Sequence, residues 1–376
     1  MIIKFKDVLY VKGRIGWQSL KKDEYLQHGD YYLITGININ DDNSIDYKSC
    51  YYVSKERYEI DESIQLKNGD IILTKDGTIG KIGLISNLDK PATLNSHLFL
   101  IRNLRPDIIN TKYLFYLFQS DKFTKYSLNN TYGSNIPAFT QKNFTEYETD
   151  LPTLYEQEKI SKILDMLDLQ IKRNNNMVQK LQVLVHTTFD YFSKNNTKSN
   201  FVVLNDILVE KDKSKIQVSD VQDVSGFIPF FTSGETVLYT NKKLETGFNI
   251  FLSTGGNAKV QAYYGDAAYS TDTWCITAKN NLQFYLFGYL NHIKSQMDKL
   301  YFHGTGLKHL QKPIFLKSII TIPNEDLLIK YNTIVEPIYH QISKIEQSTI
   351  QLQYLKNKLL PLLINQQLVW KKALSK

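Results

Sequence analysis

The chain has 376 residues, of which 42% are hydrophobic and 22% are charged, and its formal net charge is +7 at pH 7. This length predicts two or three globular domains, and the basic balance permits a polyanionic partner without requiring one. Cys50 and Cys275 are too few for a disulfide framework and show no metal-binding spacing. The sequence contains no run of about 18 apolar residues and no signal-peptide pattern, so we expect a cytoplasmic protein without membrane contact.

Residues 1–150 are expected to consist mainly of strands and turns, because β-branched and aromatic residues are frequent there. Residues 68–87 hold two short apolar runs on either side of Lys75-Asp76-Gly77, and this turn chemistry predicts a β-hairpin. Residues 109–128 place apolar side chains at helical spacing, which predicts a short amphipathic helix.

A long helix is predicted over residues 151–193, with Glu156 and Glu158 in its first turn, where they suit the helix dipole. Apolar residues follow at alternating spacings of four and three, which is a heptad seam: Ile160, Leu164, Leu167, Ile171, Val178, Leu181 and Val185. Asn174 occupies the remaining position of this seam, and a polar residue on a seam is a known register device. A helix of about 40 residues is roughly 60 Å long, more than a compact domain needs.

The second half of the chain repeats this order. Residues 194–200 are a polar linker, residues 201–323 are again rich in strand-forming sequence, and residues 324–376 are expected to form a distal long helix and a C-terminal tail. The first seven seam positions, from Ile160 to Leu181, shifted by 171 positions give a second seam in which six of seven residues are apolar or aromatic: Tyr331, Val335, Ile338, Ile342, Ile345, Thr349 and Leu352. Pro337 is expected to kink or break this helix near its start.

Two similar segments join the strand-rich parts to the helices. Gly133–Pro152 and Gly304–Pro323 both begin with Gly and a small hydroxyl residue, carry Phe at the twelfth position and end with an apolar-Pro pair. The sequence therefore predicts an α+β chain built as a tandem repeat: a strand-rich head over 1–150, its helix over 151–193, and a second head with its own helix. The sequences of the two heads differ more than those of the two helices, which suggests that the heads recognise two different targets at a fixed separation.

No complete catalytic or cofactor motif is present in the sequence. Lys75–Lys81 resembles a phosphate-binding loop, but its glycines are too close together and neither Ser nor Thr follows Lys81. Pro106-Asp107 is not followed by the Asp/Glu-x-Lys of a nuclease, and the seven histidines lack metal-ligand spacing. We therefore expect a protein that recognises and scaffolds, that is not an enzyme, and that needs no cofactor or metal.

The order of these parts resembles the specificity (S) subunit of type I restriction–modification systems. The matching pieces are NGDIILTKDGTIGKIGLI (68–85), LPTLYEQEKISKILDMLDLQI (151–171), IPFFTSGE (228–235) and NIFLSTGGNAKV (249–260). The resemblance covers essentially the whole chain, and the Pro-x-x-x-Glu-Gln helix start after a DGTIG hairpin is fairly specific. The second repeat departs from the pattern, because PNEDLLIKYNTIV replaces the Glu-Gln start and Thr254-Gly255-Gly256-Asn257 replaces the Asp-Gly turn.

The resemblance implies that each head is a target recognition domain reading one half of a split target in double-stranded DNA. It also implies that the long helices pack as an antiparallel coiled coil with pseudo-two-fold symmetry and set the gap between the half-sites. Two modification subunits, which carry S-adenosylmethionine and methylate adenine, would join this subunit, and restriction subunits that cleave DNA using ATP would complete the complex. The specificity subunit itself would be non-catalytic.

Candidate DNA contacts are polar and basic residues in the predicted turns and loops, since Lys and Arg suit phosphates and short polar side chains suit base edges. In the first head they are Lys12, Arg14, Lys75, Asp76, Thr78, Lys81, Ser134 and Asn135. In the second head they are Thr232, Ser233, Thr254, Asn257, Lys259, Thr271, Asp272, Thr305 and Lys308. Plain turn geometry, solvated edge-strand lysines and ordinary loop polarity are the competing explanations for these residues.

Helix–helix packing is predicted for eight seam residues: Leu164, Leu167, Ile171, Leu181, Ile338, Ile342, Ile345 and Leu352. The exposed parts of the helices, with Tyr155 and Phe192 near the ends of the first one, are expected to dock the modification subunits. Two other functions remain open at this point. The chain could be a fused nuclease or methyltransferase, or a structural coiled-coil scaffold whose heads bind sugars or peptides instead of DNA.

Overall fold

A computed structural model of the chain describes residues 1–14, 20–132, 137–195, 200–221, 226–234 and 236–368. The chain divides into two compact units. The first unit contains Met1–Leu169 and the chain from Tyr354 onward, and the second unit contains Gln170–Gln353. Each unit therefore contains one head together with a segment of each long helix.

The first part of the chain alternates short strands with short helices and ends in a long helix. The strands are β1 Ile2–Lys4, β2 Leu9–Gly13, β3 Tyr31–Ile34, β4 Tyr51–Val53, β5 Ile71–Thr74, β6 Ile82–Leu84, β7 Ala92–Leu94, β8 Leu98–Asn103, β9 Thr131–Tyr132, β10 Ala138–Phe139 and β11 Glu148–Asp150. The helices are α1 Phe5–Val8, α2 Lys55–Glu59, α3 Thr111–Phe118, α4 Asp121–Asn129, α5 Gln141–Thr145 and α6 Leu154–Lys194.

The second part repeats this alternation. Its strands are β12 Asn200–Val203, β13 Leu208–Glu210, β14 Ile228–Phe231, β15 Leu238–Thr240, β16 Phe248–Ser253, β17 Val260–Tyr264, β18 Ala268–Tyr269, β19 Thr273–Ala278, β20 Phe302–His303, β21 His309–Leu310 and β22 Ile319–Ile322. Its helices are α7 Leu204–Ile207, α8 Gln283–His292, α9 Lys294–Leu300, α10 Lys312–Leu316 and α11 Glu325–Ile364.

The two heads have the same sheet topology. The larger sheet has the order β2-β8-β5-β6 in the first head and β13-β19-β16-β17 in the second. A smaller sheet, β4-β3-β7 or β15-β14-β18, contains one parallel pairing in each case. Strand β1 pairs with β11 at the end of the first head, and β12 pairs with β22 at the end of the second. The predicted α+β repeat is thus confirmed strand by strand.

Continuous apolar runs form the central strands because both faces of the larger sheet are covered. In β5, Ile71 and Leu73 enter one hydrophobic cluster and Ile72 enters another. The same alternation occurs in β16, where Ile250 and Phe251 belong to different clusters. The hairpin predicted at residues 68–87 is confirmed, since β5 and β6 pair antiparallel with Leu73 opposite Ile82.

The helix predicted over residues 109–128 is two helices, α3 and α4. The break lies at Ser120, whose hydroxyl accepts a hydrogen bond from the Phe123 amide and caps α4. Such a capping residue favours a new helix start over continuation of the preceding one. The equivalent segment of the second head is likewise divided, into α8 and α9.

The segments of α6 and α11 run antiparallel within each unit. In the second unit Phe192 packs on Tyr331, with ring centres 5.6 Å apart, and Asn174 meets Thr349 near the other end of the pair. In the first unit Lys356 forms an ion pair with Asp168 at 2.6 Å. The described helices include none that is long and apolar enough to cross a membrane.

Pro337 does not break α11, so that part of the prediction is wrong. The helix is continuous from Glu325 to Ile364. Because proline has no backbone N–H, the Thr333 carbonyl, four residues before Pro337, loses its usual hydrogen-bond donor in the helix. Pro337 and Thr333 are both exposed, so water can donate a hydrogen bond to that carbonyl. The buried residues Val335 and Ile342 hold the helix against the core on either side.

Candidate nucleic-acid interface

The loop between β5 and β6 in the first head is shaped by Thr74. Its hydroxyl donates to the Thr78 carbonyl at 2.5 Å and accepts from the Lys81 amide at 2.9 Å. Gly77 and Gly80 have φ values of 66° and 95°, which side chains with a Cβ rarely adopt. The loop consequently presents Thr78 at its exposed tip, with the Lys81 backbone anchored beneath it.

Asp76 and Lys75 of this loop are held by segments distant in sequence. One Asp76 carboxylate oxygen lies 2.5 Å from His97 Nδ1, and the Lys75 amide donates to the His97 carbonyl at 3.0 Å. The Phe139 amide donates to the Lys75 carbonyl at 2.7 Å. The Lys75 ammonium lies 5.1 Å from the centre of the Phe99 ring, and burial lowers the pKa of Lys75.

Lys12 and Arg14 have different environments although they are two residues apart. Lys12 is half-buried on β2, next to Gly13, where an added Cβ would lie 3.0 Å from Lys75 Nζ. Arg14 is only 2% exposed, donates to the Leu94 carbonyl and the Thr93 hydroxyl at 3.0 and 3.1 Å, and has its pKa lowered by burial. Arg14 is therefore held within the first head by these hydrogen bonds, and its role as a DNA contact stays a prediction. Ser134 and Asn135 lie outside the described residues.

In the second head, four loops converge at the equivalent edge. The Ser233 and Thr254 hydroxyls both donate to the Asp272 carbonyl, the latter at 2.7 Å. The Gly256 amide donates to the Lys308 carbonyl at 2.9 Å. Exposed side chains at this meeting point are Asn257, Asp272 and Thr305. Thr271 lies beside them, with its amide bonded to the Ile216 carbonyl.

Two predicted residues of the second head are buried within these loops. The Thr232 hydroxyl bonds the Thr236 carbonyl at 3.2 Å, and the Lys259 ammonium donates to the Gly234 carbonyl. Both side chains therefore shape the loop, and their roles as DNA contacts stay predictions. Lys308 pairs with Asp298 at 3.0 Å; the pKa of Asp298 is lowered by the Ala258 amide and then by Lys308.

The arrangement suits recognition better than catalysis. Lysines and short polar side chains lie on loops carried by rigid sheets, which is how phosphates and base edges are contacted. Among the residues that the structure describes, no group of three His, Cys, Asp or Glu side chains could hold a metal. Cys50 and Cys275 are buried, and burial raises the pKa of Cys50 to about 12, so this thiol is not a nucleophile near neutral pH.

The sequence matches the model of the type I restriction modification DNA specificity domain over residues 1–183 and again over residues 196–354. The chain belongs to the type I restriction–modification DNA specificity family. The specificity subunit of the type I restriction enzyme MjaIX from Methanocaldococcus jannaschii is 24% identical over 409 residues, covering 96% of this chain and 91% of that protein. The crystal structure of a type I S subunit from M. genitalium has a TM-score of 0.64 at 15% identity, covering 97% and 96% of the two chains, and shows the same fold.

These matches confirm the family resemblance seen in the sequence. This specificity subunit is the recognition component of its system and not the catalytic one. The eight seam residues predicted to pack between the helices differ in burial. Leu164, Ile171 and Ile342 are buried. The remaining candidates are half-buried: Leu167, Leu181, Ile338, Ile345 and Leu352.

Sequence reasoning missed two residues that hold parts of the first head in place. His97 orients Asp76, but no periodicity links residues 21 positions apart. Gln157 is fully buried, donates to the Ile108 and Pro152 carbonyls at 3.1 and 3.0 Å, and accepts from the Asn110 amide at 2.8 Å. Gln157 joins the start of α6 to the head. The Glu-Gln pair at this helix start was the sequence signal that could have identified it.

Proposed function

We propose that each head of this specificity subunit reads one half of a split target in double-stranded DNA. The observation that carries the proposal is the repetition of one sheet topology with different loop chemistry at the equivalent edge. The first head offers Asp76, Thr78 and Lys81 there, and the second offers Asn257 and Asp272. One sheet topology with different loop residues is expected of two domains that bind different half-sites.

Lysines and short polar side chains take different roles in this proposal. Lys12, Lys81 and Lys308 contact phosphates, which supplies affinity and positions the heads. Base edges are read by short side chains of the loops, of which Asp76 is half-buried and the others are exposed: Asp76, Thr78, Asn257, Asp272 and Thr305. Because both heads belong to one chain, binding of one half-site raises the effective concentration of the other head at its own half-site.

The helices are proposed to set the gap between the half-sites and to recruit two modification subunits. On α6 an apolar stripe at heptad spacing, Met177, Leu184 and Tyr191, is exposed, and Tyr155 is exposed near the helix start. An exposed apolar stripe of this kind favours a protein partner. Phe192 is only 7% exposed and packs on Tyr331, so it is a core residue and not the docking residue that the sequence predicted.

The full complex is proposed to include restriction subunits, with S-adenosylmethionine carried by the modification subunits. Co-expression of the chain with the modification subunit of the same genome, followed by mapping of methylated adenines, tests the proposal. The expected result is a split motif with two short defined halves around an unspecified gap. Methylation at one undivided site would mean that one head is silent, and the absence of any complex would favour a structural scaffold.

A further inference from the structure

A cleft of about 370 Å³ lies beside the β5–β6 loop of the first head. Its lining includes Thr35, Ile37, Tyr51, Asp76, Asn95 and His97. Ile37 is an exposed apolar residue, and Tyr51 supplies an aromatic surface. The cleft therefore combines apolar and aromatic surface with a few fixed polar groups, which is the usual composition of a recognition site.

Asp76 is the carboxylate of this cleft. One of its oxygens, Oδ1, contacts His97 Nδ1 at 2.5 Å. The other oxygen, Oδ2, makes no hydrogen bond within the described part of the chain. The side chain is 21% exposed, so a ligand in the cleft can reach this oxygen. Asp76 thus offers one acceptor in a defined direction.

The orientation of this carboxylate is set before any ligand arrives. The His97 amide donates to the Asn95 side chain at 3.1 Å, and the His97 carbonyl accepts from the Lys75 amide at 3.0 Å. Asp76 also forms a β-bridge with Ala138. Because the residues on both sides of the Asp76–His97 contact are held by backbone hydrogen bonds, binding requires little further ordering.

A carboxylate acceptor discriminates between the bases of the major groove. Cytosine presents its N4 amino group and adenine its N6 amino group as donors there, whereas guanine and thymine present acceptors at O6 and O4. Two acceptors that face each other repel, so guanine and thymine are rejected. Lys81 lines the same cleft and is suited to the neighbouring phosphate.

We propose that Asp76, oriented by His97, accepts a hydrogen bond from the exocyclic amino group of an adenine or a cytosine in the half-site read by the first head. This inference rests on the function proposed above and adds the class of base read at one position.

Atomic substitution of the DNA tests the inference on the complex of the chain with its modification subunit. Each adenine of the mapped half-site other than the methylated one is replaced by purine, and each cytosine by 2-pyrimidinone, so that one amino group is lost at a time. At one position we expect binding to weaken roughly 5- to 150-fold, the range for loss of a specific base contact. A loss with purine identifies adenine, and a loss with 2-pyrimidinone identifies cytosine.

The variant Asp76→Ala should bind that analogue and the natural base equally well, because the acceptor is gone. Asp107→Ala removes an exposed carboxylate of the same head, which pairs with Arg105 at 2.7 Å, and should keep the wild-type penalty. An equal penalty in wild type and Asp76→Ala, or no penalty at any position, overturns the inference. Loss of the penalty in Asp107→Ala as well as in Asp76→Ala also overturns the inference.

Asp76→Asn provides a second readout that preserves the shape of the loop. The amide oxygen can keep the His97 contact, which leaves the NH2 group, a donor, in place of Oδ2. Methylation mapping should then show guanine or thymine accepted at the same position, with the other half-site unchanged. An unchanged motif overturns the inference. Wild-type complex that methylates no split target instead overturns the proposed function itself, and this result needs no variant.

Discussion

Asn174 and Thr349, the polar exceptions of the two helix seams, are bonded to each other in the second unit. The Asn174 amide donates to the Thr349 hydroxyl at 3.1 Å, and the two residues are 9% and 7% exposed. The Gln170 side-chain amide donates to the Asn174 side-chain oxygen Oδ1 at 2.9 Å, and the Thr349 hydroxyl donates to the Ile345 carbonyl at 2.8 Å. A buried polar pair with its bonds satisfied fixes the alignment of two helix seams that are otherwise apolar.

Removing one partner of this pair should therefore cost more than removing both. Asn174→Val leaves the Thr349 hydroxyl without its donor in a buried seam, and we expect the free energy of unfolding to fall by about 1–3 kcal/mol. Adding Thr349→Val should restore most of that loss, giving a coupling energy of roughly 0.5–3 kcal/mol in a double-mutant cycle.

Urea denaturation of the four chains provides this measurement. Trp274 is buried in the core of the second unit, so Trp17→Phe and Trp370→Phe in the background leave it as the fluorescence reporter of that unit. Lys180→Ala, an exposed substitution on the same helix, is the control and should be close to neutral. Additive effects of the two valines would contradict the account of the pair.

Glu346 should make the second unit less stable as the pH rises. It lines a cavity of about 630 Å³ together with Tyr239 and Tyr263, and burial raises its pKa from 4.5 to about 7. The folded chain then binds this proton more tightly than the unfolded chain. Its contribution is consequently complete below about pH 4.5 and is lost as the pH rises through about 7, a change on the order of 3 kcal/mol.

Glu346→Gln keeps the shape of the side chain and removes the titration. We expect the variant to be more stable than wild type at pH 8 and closest to it at pH 5, measured by urea denaturation with the Trp274 reporter. Glu336→Gln, on the same helix, is a matched control, and its curve should follow that of wild type. Parallel curves for Glu346→Gln and wild type across this range would show that Glu346 does not titrate there.

Tyr116 attaches the first head to its helix segments through a charged network. Its hydroxyl lies 3.0 Å from Asp165 and 2.9 Å from Asp168, and Lys356 of α11 pairs with Asp168 at 2.6 Å. Tyr116→Phe deprives these carboxylates of a buried donor, so we expect a loss of about 1–3 kcal/mol. The effect should appear as faster hydrogen exchange of the Thr111–Phe118 amides.

Tyr155→Phe is the control for this substitution, because Tyr155 is exposed on α6, the helix that carries Asp165 and Asp168. It should leave hydrogen exchange in α3 unchanged. If Tyr116→Phe also leaves it unchanged, the aromatic packing of Tyr116 alone attaches the head, and the carboxylates contribute nothing measurable.

Local patterns explain what could be predicted from the sequence, and long-range pairings explain what could not. The heptad seams and the hairpin around Lys75-Asp76-Gly77 depend on neighbours within a few residues, so their periodicity and turn chemistry are visible. The parallel pairing of β3 with β7 joins residues such as Ile34 and Leu94, and no local pattern encodes it. Side-chain burial is equally hidden: Lys12 and Arg14 are alike in sequence, yet only Arg14 lies in the interior.

Lysines that contact phosphate should be recognisable by the salt dependence of DNA binding. Lys81 lies at the end of the β5–β6 loop, and Lys81→Ala should weaken binding of the subunit complex equally for all sequences. Each lost phosphate contact lowers the slope of log K against log salt concentration by about 0.9, because one fewer counterion is released.

Lys75→Ala is the matched control on the same loop, since its ammonium lies over the Phe99 ring and burial lowers its pKa. It should change stability but leave the slope unaltered. A reduced slope for Lys75→Ala with no change for Lys81→Ala would exchange their roles and place DNA on the opposite side of the loop.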